Sequence, residues 1–260
     1  MTEPVQSGAP WRPPADLGEG SLAGAAIRLL RVAPRGMWMV LAVMVVVGLG
    51  LDLGARQLGV PLDGRTIPPE TWAYLGVVAL VNSVMVGVLL HLLLTGQTPR
   101  GLQAGLVAFV IWTAGTSLYA NGLMTLTQGA QGAPPAELLP RFLVVAVGGI
   151  GGVIVFTRLL LLPIAWLVGD PGATPAAAWG RMRGQLVGYI LASMVLSLPA
   201  LLIGILLVGI AGGAEGAASP AARLAAQLMA AGLAALGAAL NAVIYLRRVG
   251  APQRLDEVFD

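Results

Sequence analysis

Cysteine and lysine are absent from this chain, and there is a single histidine, His91. Without thiols there are no disulfides, thiolate zinc sites or iron–sulfur clusters, and one histidine leaves little with which to hold a metal. Charge is scarce as well. Only 10 % of the residues are charged, where a soluble globular domain carries about 25 %, too little polar surface to cover a water-soluble particle. Catalytic signatures are also missing: no Ser/His/Asp set in plausible proximity, no paired carboxylates inside an apolar segment, no HExxH and no P-loop. The expectation is a protein that is not an enzyme and calls for no cofactor.

What is present is apolar: 57 % hydrophobic residues and a mean hydropathy of +0.84, gathered in long blocks. A bilayer core about 30 Å thick needs about 20 mostly apolar residues per helix. Six blocks qualify, at about 37–53, 71–95, 102–126, 142–168, 186–210 and 221–246. Turn signals separate them, among them Asp63-Gly64, Pro68-Pro69, Thr98-Pro99, Pro134-Pro135, Asp170-Pro171-Gly172 and Ser219-Pro220. The blocks lack the alternation of a membrane β-barrel. The fold class is therefore all-α, a polytopic integral membrane helical bundle of six transmembrane helices. It forms a single membrane domain over 21–248, with tails at 1–20 and 249–260. Residues 1–20 hold Glu3, Asp16, Glu19 and four prolines, which reads as a disordered tail and not as a signal peptide.

Arginine supplies all fifteen basic residues, a mark of genome composition beside so much Ala, Gly and Val. The arginines sit at block ends and form no dense tract, so the net charge of +3 does not point to nucleic acid. Their placement predicts orientation. With the N-terminus cytoplasmic, the inner segments hold Arg12, Arg28, Arg31, Arg35, Arg100, Arg158, Arg181, Arg183, Arg247, Arg248 and Arg254. The outer ones hold Arg56, Arg65, Arg141 and Arg223. The positive-inside bias favours this arrangement, with both termini in the cytoplasm of a bacterial inner membrane.

Two further stretches predict amphipathic helices in the cytoplasmic headgroup layer, about 21–35 and 174–185. The first begins on a Ser21 cap and spaces Arg28, Arg31 and Arg35 helically, with Leu22, Ile27 and Leu30 facing away. The second begins on a Thr174 cap with Pro175 at the first helical position and carries Trp179, Arg181, Met182 and Arg183. Each leads into a span, which is consistent with a parallel internal repeat and equally with two unrelated lead-ins. Small residues supply packing surfaces within the chain or between copies: Gly101/Gly105, Gly148/Gly152, Gly184/Gly188 and Gly209/Gly213, and alanines at 222, 226, 230, 234, 238 and 242 along one face of the last span. The fourth block spans 27 residues, about 40 Å of helix, and would bury Arg158 in or near hydrocarbon, which is expensive. A span ending near Arg158, a kink near Pro163 and residues 159–168 laid along the interface resolve that conflict.

The order of features from Arg158 through 159–163, Asp170, the capped turn 174–178 and 181–184 resembles a bacterial family of membrane domains. That family is related to the membrane portion of glycerophosphoryl diester phosphodiesterases. The stretch 241–248, NAVIYLRR, is similar too, while Gly180 stands where family members keep a serine. The resemblance implies a six-span inner-membrane protein. It implies no phosphodiesterase activity, because the soluble catalytic domain has no counterpart here.

The candidate site residues fall in two groups. Arg158, Asp170, Arg181 and Arg183 form a structural or lipid-phosphate site, with Arg158 clamping Asp170, capping carbonyls or holding a phosphate. Asn82, Thr116 and Asn121, with Thr113, Ser117 and Tyr119 nearby, are the candidate lining of a polar cavity, although hydroxyls also bond back to their own helix. His91, near a span end, reads as a helix-bonded interfacial residue. The leading expectation is a protein whose partners are membrane lipids and another membrane protein or a second copy. A small-solute transporter or channel and a structural subunit of a membrane complex are the alternatives.

Overall fold

A serine hydroxyl starts the first helix, as its sequence predicts. Ser21 Oγ accepts the Gly24 N–H at 3.1 Å and opens α1 (Leu22–Arg31). In the computed structural model, which describes residues 11, 13–59, 69–99, 101, 103–128, 135–210 and 219–250, the helices α2 (Arg35–Gln57), α3 (Pro69–Thr95), α4 (Ala104–Gln128) and α5 (Pro135–Arg158) follow. Then come two short helices, α6 (Leu161–Val168) and α7 (Pro175–Arg181), and the long α8 (Leu186–Ile210) and α9 (Pro220–Arg248). No strand occurs among the described residues. Six helical stretches are long and apolar enough to cross a bilayer, and the chain is a multi-pass α-helical membrane protein. Asp63-Gly64, Pro134, Gly213, Arg12, Arg65, Arg100, Arg254 and the tail beyond 250 lie outside the described residues.

Helices α3 and α9 form the centre. α3 packs on α2, α4 and α9, while α9 also takes α1, α2 and α8. Close approach is made possible by missing side chains. A Cβ at Gly87 would meet Leu106 at 2.8 Å, and one on Gly152 would meet the Tyr119 ring at 2.7 Å. At Gly105 a Cβ would run into the Trp166 carbonyl oxygen, so α4 crosses α6 almost backbone to backbone. Of the predicted glycine pairs, Gly148 and Gly152 both seat α4 side chains. Gly101 and Gly184 instead occupy turns with left-handed φ.

The alanine pattern of α9 needs correcting for the same geometric reason. A strict four-residue repeat drifts about 40° per step against 3.6 residues per turn, so it spirals around the helix. Ala226 and Ala230 are exposed, and the buried face runs through Ala231, Ala235, Ala238, Ala239 and Ala242.

The fourth apolar block is broken after Arg158, the expected end of the span, and the break precedes Pro163. Helix α5 ends at Arg158 and α6 starts at Leu161, leaving Pro163 in the first turn, where a proline sacrifices no intrahelical hydrogen bond. Nor does α6 lie along an interface. Leu161, Leu162, Ile164, Ala165 and Leu167 are all buried, against α4, α3 and α9. Its apolarity all the way round explains why it inserts: a helix with no polar face has none to offer to headgroups.

Helix α1 also buries a different face. Ala25, Ala26 and Leu29 are buried while Ile27 is exposed. The small face of α1 fits the groove of α8 and α9, and Arg35 belongs to the next helix.

Candidate functional site

All six spans have one end on the same side as α1, α6 and α7, and most arginines lie there. The turn leaving α6 organises this basic end. Gly169 adopts φ 73°, a conformation glycine reaches without penalty, and the Asp170 N–H returns to the Ala165 carbonyl at 2.9 Å. Asp170 Oδ1 then accepts the Gly172 N–H at 2.7 Å, an Asx turn that aims the other carboxylate oxygen back at the bundle. Thr174 Oγ1 accepts the Ala177 N–H at 3.2 Å and opens α7 with Pro175 in its first turn.

Asp170 Oδ2 faces two partners at 3.5 Å, Nη1 of Arg181 and the Tyr245 hydroxyl. Tyr245 is buried. One turn away on the same face of α9, Asn241 Oδ1 accepts the Tyr189 hydroxyl at 2.9 Å, joining α8 to α9. The carboxylate therefore ties the α6–α7 turn to α7 and α9. Asp170 and Arg181 were legible as site residues. The tyrosines were not, although Asn241 and Tyr245 stand four apart, the spacing of one helix face.

The remaining two members of the predicted quartet stand apart from this knot. Among the described residues Arg158 does not clamp Asp170 and caps no carbonyl. Its guanidinium carbon lies 5.5 Å from the centre of the Trp179 ring, and its Nε is buried without a hydrogen-bond partner. Arg183 is exposed.

Other arginines are committed to the protein itself. Residues from Pro13 onwards, predicted as part of a disordered tail, form a strap with a 3-10 turn at Ala15–Gly18. Arg247 donates to the carbonyls of Leu17 (2.7 Å), Glu19 and Gly20 (both 3.1 Å). Arg28 pairs with Asp16 at 3.3 Å and donates to the Glu19 carbonyl at 2.8 Å. Leu17 is buried, and Trp11 covers Gly96 while donating Nε1–H to Val32 O at 3.2 Å. Backbone carbonyls are invisible to a composition argument, which is why this order was missed.

No hydrogen bond joins the polar-cavity residues to one another among the described residues. Asn82 is exposed, and Thr116 and Asn121 are half-buried. The Thr116 hydroxyl is spent on the Thr113 carbonyl at 2.8 Å, and Thr113 and Ser117 likewise bond back along α4. His91 Nδ1 lies 2.8 Å from the Gln97 carbonyl, closing the end of α3. No group of three metal-ligating side chains occurs among the described residues. In comparisons with known proteins, no family model, no curated protein and no solved structure matches this chain.

Proposed function

We propose that this is a non-enzymatic inner-membrane protein with both termini cytoplasmic, whose basic end engages the anionic lipids of the inner leaflet. The observation that carries the reading is a division of labour among the arginines. Arg28, Arg181 and Arg247 are held by protein oxygens. Arg31, Arg35, Arg183 and Arg248 are exposed and have no ion pair among the described residues. Basic residues held at an anionic surface contribute about 1 kcal/mol each, and these four are placed for it. The exposed Trp38 lies beside them at the start of α2, where an indole anchors a span at the headgroup level. A membrane-protein partner or a second copy would be held in the same plane.

The layout likeness to the phosphodiesterase-related membrane domains belongs to the same proposal. Three of the residues that carry it, Asp170, Arg181 and Tyr245, meet in space. Transport has less support, since the hydroxyls that would line a path are spent on carbonyls of their own helix.

Fluorescence quenching by brominated phospholipids in proteoliposomes tests the lipid reading. Brominated phosphatidylglycerol is expected to quench more than brominated phosphatidylcholine at equal mole fraction. The preference should vanish in the Arg31→Gln/Arg35→Gln/Arg183→Gln/Arg248→Gln variant. An unchanged preference would show that these arginines do not select lipid.

A further inference from the structure

Arg158 differs from every other arginine of the basic end. It is neither exposed to the surface like Arg183 nor satisfied by the protein like Arg181. It closes α5, a position where a cation also meets the partial negative charge of the helix end. One side of its guanidinium is occupied by Trp179 at 5.5 Å, a contact that holds the planar group in one orientation. Its Nε is sealed from solvent and bonded to nothing, and among the described residues no carboxylate pairs with it. A buried donor of this kind is costly to leave unmade, and an arginine fork suits a phosphate.

The surface of α5 running away from Arg158 is apolar and uncovered. At 100° per residue, positions 144, 147, 151, 154 and 155 point within about 60° of the direction of position 158. They are Val144, Val147, Gly151, Ile154 and Val155. Val144 and Val147 are 56 % and 70 % exposed, Ile154 and Val155 38 % and 40 %, and a Cβ at Gly151 would meet nothing within 4 Å. An uncovered aliphatic track with a shallow notch therefore runs along the span and ends at Arg158, whose Nε has no partner. A molecule that matches both halves has an acyl chain and a phosphate.

We infer that Arg158, oriented by Trp179, binds the phosphate of one anionic phospholipid of the inner leaflet, whose acyl chain lies along the 144–155 face of α5. This rests on the lipid-engaging reading above and deepens it. The diffuse basic surface selects a class of lipid, whereas this position retains a single molecule.

Native mass spectrometry of protein extracted in mild detergent, then exchanged against phosphatidylglycerol, tests the inference. Wild type is expected to retain one lipid per chain. Arg158→Gln should lower its occupancy by about tenfold or more, the size of a charge-assisted hydrogen-bond loss. The four-arginine variant of the surface should keep it. Equal retention by Arg158→Gln overturns the inference. Displacement of the lipid by millimolar inorganic phosphate or glycerol phosphate also overturns it, because the ligand would then be a soluble phosphate. Should Arg158→Gln not fold, wild-type protein with a phosphatidylglycerol carrying a diazirine on its acyl chain decides. Crosslinks mapping to 144–155 support the site, and crosslinks that avoid α5 refute it. If the surface variant keeps its lipid preference while Arg158→Gln loses the retained lipid, the broader reading fails and this one stands.

Discussion

The two ends of the bundle manage charge differently. At the far end Asp52 is shared by Arg56, four residues on in the same helix at 3.3 Å, and by Arg223 of α9 at 3.7 Å. Beneath that pair Gln227 packs directly over Gly48, so a short polar ladder joins antiparallel α2 and α9. At the basic end the strap, α1, α6, α7 and the last turns of α9 interlock, and their arginines bond to backbone carbonyls and to the carboxylates of Asp16 and Asp170. Among the described residues, the charges of the far end join one pair of spans. The basic end is a folded layer with its own buried leucines. Stability should therefore be concentrated where the arginines are, and perturbations of the two ends should differ in size.

The largest effect is expected at Gly105. Any side chain there collides with the Trp166 carbonyl, and neither backbone can yield without separating α4 from α6. Overpacking in a filled core costs about 1–3 kcal/mol, and a clash with backbone lies at or above the top of that range. Gly105→Val should lower folded yield and thermal stability severely. Gly50→Val on α2, where a Cβ meets nothing within 4 Å, should be tolerated. Equal tolerance at both positions would mean that α6 is not seated against α4.

Next comes Asp170. Asp170→Asn removes the charge facing Arg181 and weakens the acceptor of a buried tyrosine, leaving half-buried polar groups unmet at about 1–3 kcal/mol. Asp52→Asn at the far end weakens two partly exposed ion pairs, for which about 0–1 kcal/mol each is typical. Unfolding in mixed micelles should thus order the two substitutions with Asp170 the more damaging. The reverse order would place the weight of the fold at the far end.

Much of this comparison could be read from residue order alone, and the exceptions share a cause. The six spans, the Ser21 and Thr174 caps and the break after Arg158 follow from hydropathy, cap chemistry and the expense of a charge in lipid, all local properties. The burial of α6, the strap over residues 13–20 and the Tyr189–Asn241 bond depend on which surfaces meet, and apolar blocks in a membrane protein look alike whether they face lipid or protein. The contrast is sharpest between α9, with 50 % of its apolar window buried, and α5, with 6 %. Their hydropathies differ little. Alanine and glycine in α9 let neighbours approach, while the valines and isoleucines of α5 face outward. At the candidate site the same limit applies. Arg158 stood out for its position, but its release from Asp170 follows from Arg181 occupying that carboxylate.

The strap offers a milder test. Arg247→Gln, in the last turn of α9, removes the donor to three carbonyls without touching the apolar stretch of the span. Limited proteolysis should then cut within residues 13–20 several times faster than in wild type, while the spans stay protected. Cleavage at the wild-type rate would mean that Arg28 and the burial of Leu17 suffice to hold the segment.

The smallest effect is expected in the middle of the membrane, where the ends no longer matter. Tyr119 donates its hydroxyl to the Gly148 carbonyl at 2.8 Å, its ring rests on Gly152, and it meets Phe156 edge-on at 5.3 Å. Tyr119→Phe keeps the ring and removes only the hydrogen bond. Such bonds average about 0.6 kcal/mol between membrane helices, because a helix free in lipid also finds partners for its polar groups. The loss should therefore be near the limit of detection in a micelle unfolding titration. Gly152→Ala, which pushes the ring away at 2.7 Å, should exceed it. A larger effect from the hydroxyl than from the added methyl would mean that α4 and α5 are joined by polarity and not by fit.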